Sequence, residues 1–241
     1  MVGVDQPGSR GVVSARMVLA PAVLALDVNE TLSDMSALSG RLEAAGISGD
    51  IVPTWFARTL RDGFALAAAG AYAEFAAIAG SALRSLLAGL PDVAGDPDEL
   101  SKNVVAAMGE LPLHDDVASG LRRLHDAGIR LVTLTNGSAQ TARKLLENAD
   151  LAGCIEQFLS VEVVGRWKPA PEPYRFAADA CEVSAEQVML AAAHPWDVDG
   201  AKRAGLAAAW INRSATVYPE FFSAPELTCA SFDELADALS R

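Results

Sequence analysis

The order of apolar and polar residues divides the chain into three regions. Residues 22–26 form a short apolar run, which predicts a buried strand that ends at Asp27. No convincing strand pattern follows between about Ser33 and Leu111, where the periodicity predicts helices at 34–45, 52–70, 72–90 and 97–109. Glycine and proline residues separate these helices, as expected at helix ends.

After Pro112 the pattern changes to alternating helices and strands. Helices are predicted at 115–127, 138–149, 171–182, 196–204 and 232–240, and strands at 129–135, 158–163, 187–193 and 206–211. Alternation of this kind predicts a parallel sheet with helices on both faces. An all-helical block inserted after the first strand predicts a separate cap over that sheet.

We therefore predict an α/β fold with a Rossmann-like three-layer core, a parallel sheet and an inserted helical cap domain. The core takes residues 20–32 and 112–241, and the cap takes 33–111. Residues 1–19 are predicted to be a flexible N-terminal extension. Arg10 and Arg16 before an apolar run loosely resemble a signal peptide, but Pro21 interrupts the run and no small-residue cleavage site follows it.

Composition and charge limit the partners that the chain can have. The 241 residues carry a formal net charge of −12, which argues against nucleic acid because phosphate binding needs clustered lysine and arginine. The apolar run near the N-terminus is too short to span a membrane, so no membrane partner is expected. Three cysteines without metal-ligand spacing favour free thiols in the reducing cytoplasm. The expected partner is a small anionic molecule, met by a local positive centre.

Polar residues follow several of the predicted strands at one edge of the sheet, where ligands bind in α/β folds. They are Asp27, Thr135-Asn136, Lys168 after a short loop, and the segment 194–197. Each has an ordinary structural explanation: a turn cap, an Asn-Gly turn, a solvated surface lysine and a helix N-cap. Their joint position at strand ends weakens those explanations and predicts a site.

Four motifs in order resemble the haloacid dehalogenase-like superfamily, and more closely its type II L-2-haloacid dehalogenases. They read Asp27-Val28-Asn29-Glu30-Thr31-Leu32, Leu134-Thr135-Asn136-Gly137-Ser138, Lys168-Pro169-Ala170-Pro171-Glu172-Pro173-Tyr174 and Ala193-His194-Pro195-Trp196-Asp197. They are similar to the patterns D-x-x-G-T-L, S-N-G-S, K-P-x-P-x-x-Y and S-N-A-W-D of that branch. The resemblance covers most of residues 20–212, and over the cap it is one of helical character more than of sequence.

The resemblance implies a hydrolase in which Asp27 displaces halide from C2 of a 2-haloacid and forms an ester that water then hydrolyses. Lys168 would lower the pKa of the nucleophile and offset repulsion from an anionic substrate. Asp197 is implied to position Lys168 and the hydrolytic water. Thr31 and Thr135 would hold the substrate carboxylate through hydroxyl and backbone N–H donors.

Further substrate contacts are implied by position. Arg58 corresponds to an arginine that contacts the leaving halide, although Arg61 lies one turn away on the same predicted helix. His194 stands where the branch often has a halide-binding asparagine, and a structural histidine in the core is the alternative explanation. The remaining predicted substrate-binding residues are Asn136, Tyr174 and Trp196.

Two positions separate this chain from the phosphatases of the same superfamily. Those enzymes carry a second aspartate two residues after the nucleophile as general acid, and Asn29 occupies that position. They also bind magnesium with the nucleophile and usually two carboxylates of the fourth motif, and Ala193 replaces one of those. Asp199 could supply a carboxylate, but its spacing from Asp197 favours a surface role. No metal site and no cofactor are predicted; Mg²⁺ enters only in the phosphatase alternative.

Three hypotheses remain open from the sequence. The first is a 2-haloacid dehalogenase, the second a phosphatase without the usual acid, and the third a binding protein that keeps the fold without turnover. Asn29, Glu30 and His194 depart from the dehalogenase pattern and motivate the alternatives. The resemblance also implies a homodimer, because dimers are common in that branch.

Overall fold

A six-stranded parallel sheet forms the centre of the computed structural model, which describes residues 20–90, 93 and 95–240. The predicted N-terminal extension, 1–19, lies outside the described residues. The strands are β1 (Val23–Leu26), β2 (Arg130–Thr135), β3 (Ile155–Ser160), β4 (Val188–Ala192), β5 (Ala207–Ile211) and β6 (Leu227–Cys229), in the spatial order β3-β2-β1-β4-β5-β6. Strands β1 to β3 form one half of the sheet, from the centre to one edge, and β4 to β6 form the other half.

Helices fill the intervals between the strands. They are α1 (Leu38–Glu43), α2 (Ile51–Ala68), α3 (Phe75–Leu87), α4 (Pro97–Ala106), α5 (Val117–Asp126), α6 (Ala139–Asn148), α7 (Pro171–Ala180), α8 (Pro195–Arg203) and α9 (Phe232–Leu239). Short 3-10 helices occur at Met35–Ala37, Ala107–Glu110, Ala152–Cys154 and Ala185–Gln187. Among the described residues, no helix is both long and apolar enough to cross a membrane.

Apolar residues on both faces of the sheet produce the three layers. Side chains alternate between the faces of a strand, so Val23 and Ala25 of β1 join one apolar cluster while Leu24 and Leu26 join the other. The first cluster packs against α7 and α8, and the second packs against α5, α6, α9 and the inserted helices. The predicted Rossmann-like parallel core is confirmed.

The inserted helices reach the core through Trp167, a buried residue of the loop after β3. Its ring stacks on Phe75 at a centroid distance of 5.6 Å, and its Nε1 donates to the carbonyl oxygen of Ala73. On the neighbouring helix, an ideal Cβ built on Gly63 would lie 2.3 Å from the Trp167 ring. A glycine at this position therefore lets α2 approach the core closely.

The strand register brings the ends of three strands together at one edge. Leu26 pairs with Thr133 on β2 and with Ala191 on β4. Asp27 follows β1, Asn136 follows β2 and Ala193 follows β4, so these residues emerge side by side at the carboxyl edge. Because β1 separates the two halves of the sheet, this edge is the topological switch point where α/β folds bind ligands.

The structure differs from the strand predictions at two places. β3 begins at Ile155 and ends at Ser160, three residues earlier than the predicted strand at 158–163. β6, a three-residue strand at Leu227–Cys229, was not predicted. In the insertion, α3 begins at Phe75 and ends at Leu87, inside the predicted range of 72–90.

Candidate active site

Asp27 lies at the carboxyl end of β1 and is 5% exposed. Its backbone N–H donates to the Ala191 carbonyl oxygen at 3.1 Å, which continues the sheet pairing and fixes its position. Its Oδ1 accepts from Lys168 Nζ at 2.8 Å, and its Oδ2 accepts from Thr31 Oγ1 at 2.6 Å. Both carboxylate oxygens are therefore held by donors that favour the ionised form.

Lys168 is fully buried and uses all three of its ammonium protons. Its Nζ donates to Asp27 Oδ1 at 2.8 Å, to Asp197 Oδ2 at 2.6 Å and to the Leu134 carbonyl oxygen at 2.7 Å. Asn136 holds the lysine backbone on both sides, because its Oδ1 accepts from Lys168 N at 2.9 Å and its Nδ2 donates to Lys168 O. The ammonium is thereby fixed between two carboxylates.

Asp197, in the first turn of α8, is fully buried behind Lys168. Its Oδ2 accepts from the lysine, and its Oδ1 accepts from the Tyr174 hydroxyl at 2.6 Å. Tyr174 is itself buried in the layer formed by α7 and α8. Tyr174 is a predicted substrate-binding residue, and in the structure its hydroxyl contacts Asp197.

The electrostatic environment separates the acidities of the two aspartates. Burial works to raise the pKa of Asp27, but the charges of Lys168 and His194 hold that pKa well below its usual value. Burial, together with the charge of Asp27, raises the pKa of Asp197 against the opposing effect of the lysine. The charges of Asp197 and Asp27 raise the pKa of Lys168 although its burial works against this. Asp27 is the more acidic of the pair, as a nucleophile must be.

Thr31 ties the loop after β1 to the loop after β4. Its Oγ1 donates to Asp27 and accepts from the backbone N–H of Ala193 at 2.9 Å. Its carbonyl oxygen accepts from the Arg213 guanidinium at 2.7 Å and 3.0 Å. These contacts place Thr31 as a residue that orients the Asp27 carboxylate.

His194 and Glu30 form an ion pair beside the nucleophile. The Nε2 of His194 lies 2.8 Å from Glu30 Oε2, and its Nδ1 faces Asp27 Oδ2 at 3.4 Å. Glu30 adopts a left-handed backbone conformation, with a φ of 59°, that side chains other than glycine rarely take. The sequence showed that Glu30 and His194 depart from the family pattern, but it did not show that their side chains are in contact.

A small cavity of about 10 Å³ lies directly over Asp27. Its walls come from α2, α3, the start of α8 and the loops after β1, β2 and β4, and their exposed area is mainly apolar. The lining residues besides Asp27 are Asn29, Phe56, Leu60, Phe75, Asn136, His194 and Trp196. The His194 ring stacks on Trp196 at a centroid distance of 5.1 Å and lies 6.0 Å from the Phe56 ring. This volume holds about one water molecule.

Two predicted substrate-binding residues, Arg58 and Thr135, are not among the residues that line this cavity. Phe56 and Leu60, one helical turn apart on α2, face the cavity. Arg58 is two residues from each, which turns its side chain by about 200° around the helix, onto a different face. The Thr135 hydroxyl oxygen accepts from the N–H of Gly137 at 2.9 Å and thus closes the turn after β2. The structure brings together Asp27, Thr31, Asn136, Lys168, Asp197, His194 and Trp196.

The carboxylates near Asp27 are paired with cationic side chains. The ammonium of Lys168 already lies between the carboxylates of Asp27 and Asp197. Asp199 faces away and is held by Arg203 Nε at 2.7 Å and by the N–H of Ser223 at 2.8 Å. Among the residues that the structure describes, no group of three or more histidine, cysteine, aspartate or glutamate side chains could hold a metal ion.

Comparison with known proteins agrees with this geometry. The family model for haloacid dehalogenase-like hydrolases matches residues 22–205, which includes every residue of the cluster around Asp27. The chain belongs to the haloacid dehalogenase-like hydrolase family. The matched segment contains both the inserted helices and the strand ends that carry the site.

Curated relatives resemble the chain at moderate identity. The (S)-2-haloacid dehalogenase H-109 of Pseudomonas putida is 26% identical over 90% of this chain and 96% of its own length. The (S)-2-haloacid dehalogenase of Pseudomonas sp. strain YL is 27% identical over 84% and 88%. Haloacetate dehalogenase H-2 of Moraxella sp. is 32% identical, but the match spans 52% of this chain and 56% of that protein.

Solved structures show the same fold. The L-2-haloacid dehalogenase from Xanthobacter autotrophicus superposes with a TM-score of 0.81 and 23% identity, over 90% of this chain and 97% of that one. A second crystal structure of a dehalogenase gives a TM-score of 0.84 and 25% identity over 93% and 98%. The fold of this hydrolase family thus extends over nearly the whole chain.

Proposed function

We propose that this chain is a 2-haloacid dehalogenase in which Asp27 displaces the halide and forms an ester that water hydrolyses. The observation that carries the proposal is the buried Lys168 ammonium, which contacts the Asp27 carboxylate at 2.8 Å. It keeps the nucleophile ionised and attracts an anionic substrate in a site from which bulk water is excluded. Relatives named as (S)-2-haloacid dehalogenases support the substrate class.

The small cavity over Asp27 suits a reaction from which bulk water must be excluded. Apolar side chains of Phe56, Leu60, Phe75 and Trp196 form its walls. A volume of about 10 Å³ has no room for a haloacid, so we propose that the inserted helices over 33–111 act as a cap that moves to admit it. The same closure would protect the ester from premature contact with bulk water.

Phosphate transfer is the alternative that the site supports less well. A phosphatase of this family needs a carboxylic acid two residues after the nucleophile and a cation at its side. Asn29 cannot exchange a proton in that way, and the carboxylates of Asp27 and Asp197 are both paired with the Lys168 ammonium.

The direct test is halide release from L-2-chloropropionate and from haloacetates in the presence of a chelator. We expect release by the wild type, its loss in Asp27→Asn, and normal release by the matched exposed variant Asp62→Asn. Reaction in heavy-oxygen water under single-turnover conditions should label the Asp27 carboxylate. Magnesium-dependent hydrolysis of a phosphate ester without halide release would overturn the proposal. Binding of haloacids without turnover would indicate a non-catalytic protein.

We also propose a cytoplasmic homodimer. The free thiols of Cys154, Cys181 and Cys229 support a reducing compartment. The dimer is proposed by analogy with the branch that the chain resembles, and sedimentation equilibrium tests it. A monomer at micromolar concentration would contradict this part of the proposal.

A further inference from the structure

Hydrolysis of the ester needs a group that accepts a proton from water close to Asp27. Asp197 is poorly suited to this task, since one of its oxygens accepts from Lys168, the other accepts from Tyr174, and the residue is fully buried. Lys168 has no free proton position, because its three N–H bonds have three acceptors. The residues that hold the nucleophile are therefore fully engaged with one another.

His194 differs from these residues because one of its ring nitrogens faces the nucleophile without a hydrogen-bond partner. Its Nδ1 is buried, lies 3.4 Å from Asp27 Oδ2 and makes no hydrogen bond among the described residues. Its Nε2 is held at 2.8 Å by Glu30. The ring is further fixed by stacking on Trp196. A base oriented in this way by a carboxylate is a recurrent arrangement in hydrolytic sites.

We propose that His194, oriented by Glu30, is the general base that activates water against the ester of Asp27. This inference rests on the proposed dehalogenase function, because it concerns the second half of that reaction. The proposal assigns a positioning role to Glu30. Its backbone is left-handed, a conformation in which glycine would be unstrained, and the positioning role gives a reason for a glutamate at this position.

The proton balance of the step is as follows. After the halide has left with its bonding electron pair, the His194 imidazolium releases one proton to solvent. Neutral Nδ1 then takes a proton from water while the water oxygen bonds to Cγ of Asp27. The bond between Cγ and the ester oxygen breaks, and the departing alkoxide is protonated by the imidazolium. The acid proton of the restored Asp27 carboxyl returns to His194, which regenerates the resting site.

The change in charge at Asp27 favours this sequence. In the resting site, burial lowers the pKa of His194, but the hydrogen bond to Glu30 and the negative charges of Asp27 and Glu30 prevail and raise it to about 9. Esterification removes the charge of Asp27, so the imidazolium loses one of its two anionic partners and releases its proton more readily. His194 is thus charged while Asp27 attacks and becomes a base once the ester has formed.

An open cleft of about 480 Å³ lies on the other side of His194 and offers a route for the water and the released proton. Both Glu30 and His194 line this cleft, and His194 also lines the small cavity over Asp27. The other charged and titratable groups on the cleft wall are Asp34, Asp50, His114 and Arg213. His194 therefore separates the nucleophile from solvent.

The decisive experiment is a single-turnover reaction of the His194→Asn enzyme with L-2-chloropropionate. We expect one equivalent of halide to be released at nearly the wild-type rate, while ester hydrolysis slows by about 10²- to 10⁴-fold. Mass spectrometry of the intact protein should then detect a carboxyethyl group on Asp27. His125→Asn, an exposed substitution of the same type, should leave both steps unchanged.

Three outcomes would overturn the inference. Halide release followed by hydrolysis at the wild-type rate would exclude His194 as the base. Loss of the halide burst itself would place His194 in the first step instead. Accumulation of the ester in Asp197→Asn but not in His194→Asn would assign the role to Asp197. Failure of the wild type to release halide would contradict the proposed function, which is a separate result.

The positioning role of Glu30 has its own test, which also applies if His194→Asn does not fold. Glu30→Gln removes a negative charge next to His194 and keeps the shape of the side chain. Because that charge raises the pKa of the base, the rising limb of the hydrolysis rate against pH should move to lower pH. A purely structural glutamate would lower the rate at all pH values without moving the limb, and that result would contradict the role.

Discussion

Lys168 shows how strongly single residues in this site depend on one another. The ammonium is fully buried, and an isolated charge in such a position would be very unfavourable. It is tolerated because two carboxylates and the Leu134 carbonyl oxygen surround it. Each partner in turn relies on the lysine for its own compensation. Substitution of Lys168 or of either aspartate should therefore affect stability and activity together.

We expect Lys168→Met to lower the free energy of unfolding by about 3–5 kcal/mol, because two buried carboxylates lose their counterion. Halide release should fall by at least about 10²-fold, since the pKa of Asp27 rises without the adjacent charge. Urea denaturation and a halide assay at pH 7 measure the two effects. Lys102→Met removes an exposed lysine paired with Glu99 and should change stability by less than about 0.5 kcal/mol. Unchanged stability of Lys168→Met would contradict the compensation argument.

Tyr174 allows the hydrogen bond behind Asp197 to be tested alone. Tyr174→Phe leaves a buried carboxylate oxygen without its donor at 2.6 Å, which should cost about 1–3 kcal/mol. Halide release should also fall, because Asp197 holds Lys168 less firmly. The matched control is Tyr72→Phe, since the Tyr72 hydroxyl is buried without a partner among the described residues and its loss should be nearly neutral. Equal melting temperatures for the two variants would contradict the expected difference.

At this scale the sequence predicted the polar residues at the strand ends, and the family resemblance implied that Lys168 acts with Asp27 and Asp197. Asp27, Lys168 and Asp197 could be assigned because strand ends and motif order fix their place. The contact of Arg58 with the halide stays a prediction; Arg58 does not line the small cavity over Asp27, and a linear motif does not show which face of a helix meets the core. The contact between Glu30 and His194 joins residues 164 positions apart and depends on a backbone angle that no residue pattern reveals.

At the scale of elements, α2 determines the shape of the site. It carries Phe56 and Leu60 over Asp27, and its approach to the core depends on Gly63 beside Trp167. Alanine is normally more favourable than glycine inside a helix by about 1 kcal/mol. At Gly63 packing against the core outweighs that preference.

This gives a prediction in which the same substitution has opposite effects in two helices. Gly63→Ala should lower the melting temperature and alter activity, because the new Cβ would lie 2.3 Å from the Trp167 ring and force α2 outwards. Gly40→Ala in α1 should be neutral or raise stability by up to about 1 kcal/mol, since nothing lies within 4 Å of its Cβ. Thermal unfolding of both variants measures this. Stabilisation by both would show that α2 adjusts without cost.

The sheet shows which elements a sequence pattern can identify. β1, β2, β4 and β5 are almost fully buried, so continuous apolar runs marked them. β3 was displaced in the prediction because its first half contains Glu156 and Gln157, which are partly or fully exposed beside only one neighbouring strand. β6 has three residues at the opposite edge, too few for any periodicity.

At the scale of the whole molecule, the site is a cluster of opposite charges enclosed between the sheet edge and the inserted helices. Asp27, Lys168, Asp197, His194 and Glu30 come from loops after three different strands and meet only in the folded chain. The pKa values of Asp27, Lys168, Asp197 and His194 therefore differ between the folded and unfolded states. Stability must then depend on pH, with a sign that each group sets.

His194 gives the sharpest case, because its pKa rises from 6.5 to about 9 on folding through the charges of Asp27 and Glu30. A raised pKa means that the stabilisation is fully present below pH 6.5 and is lost as the pH rises towards 9. We expect the difference in unfolding free energy between the wild type and His194→Asn to decrease by up to about 3 kcal/mol over that interval. Urea denaturation at several pH values measures it, with His125→Asn as a control whose difference stays constant. A difference for His194→Asn that grows with pH would mean that the histidine is neutral in the folded protein, and the Asp27–His194–Glu30 charge arrangement would be wrong.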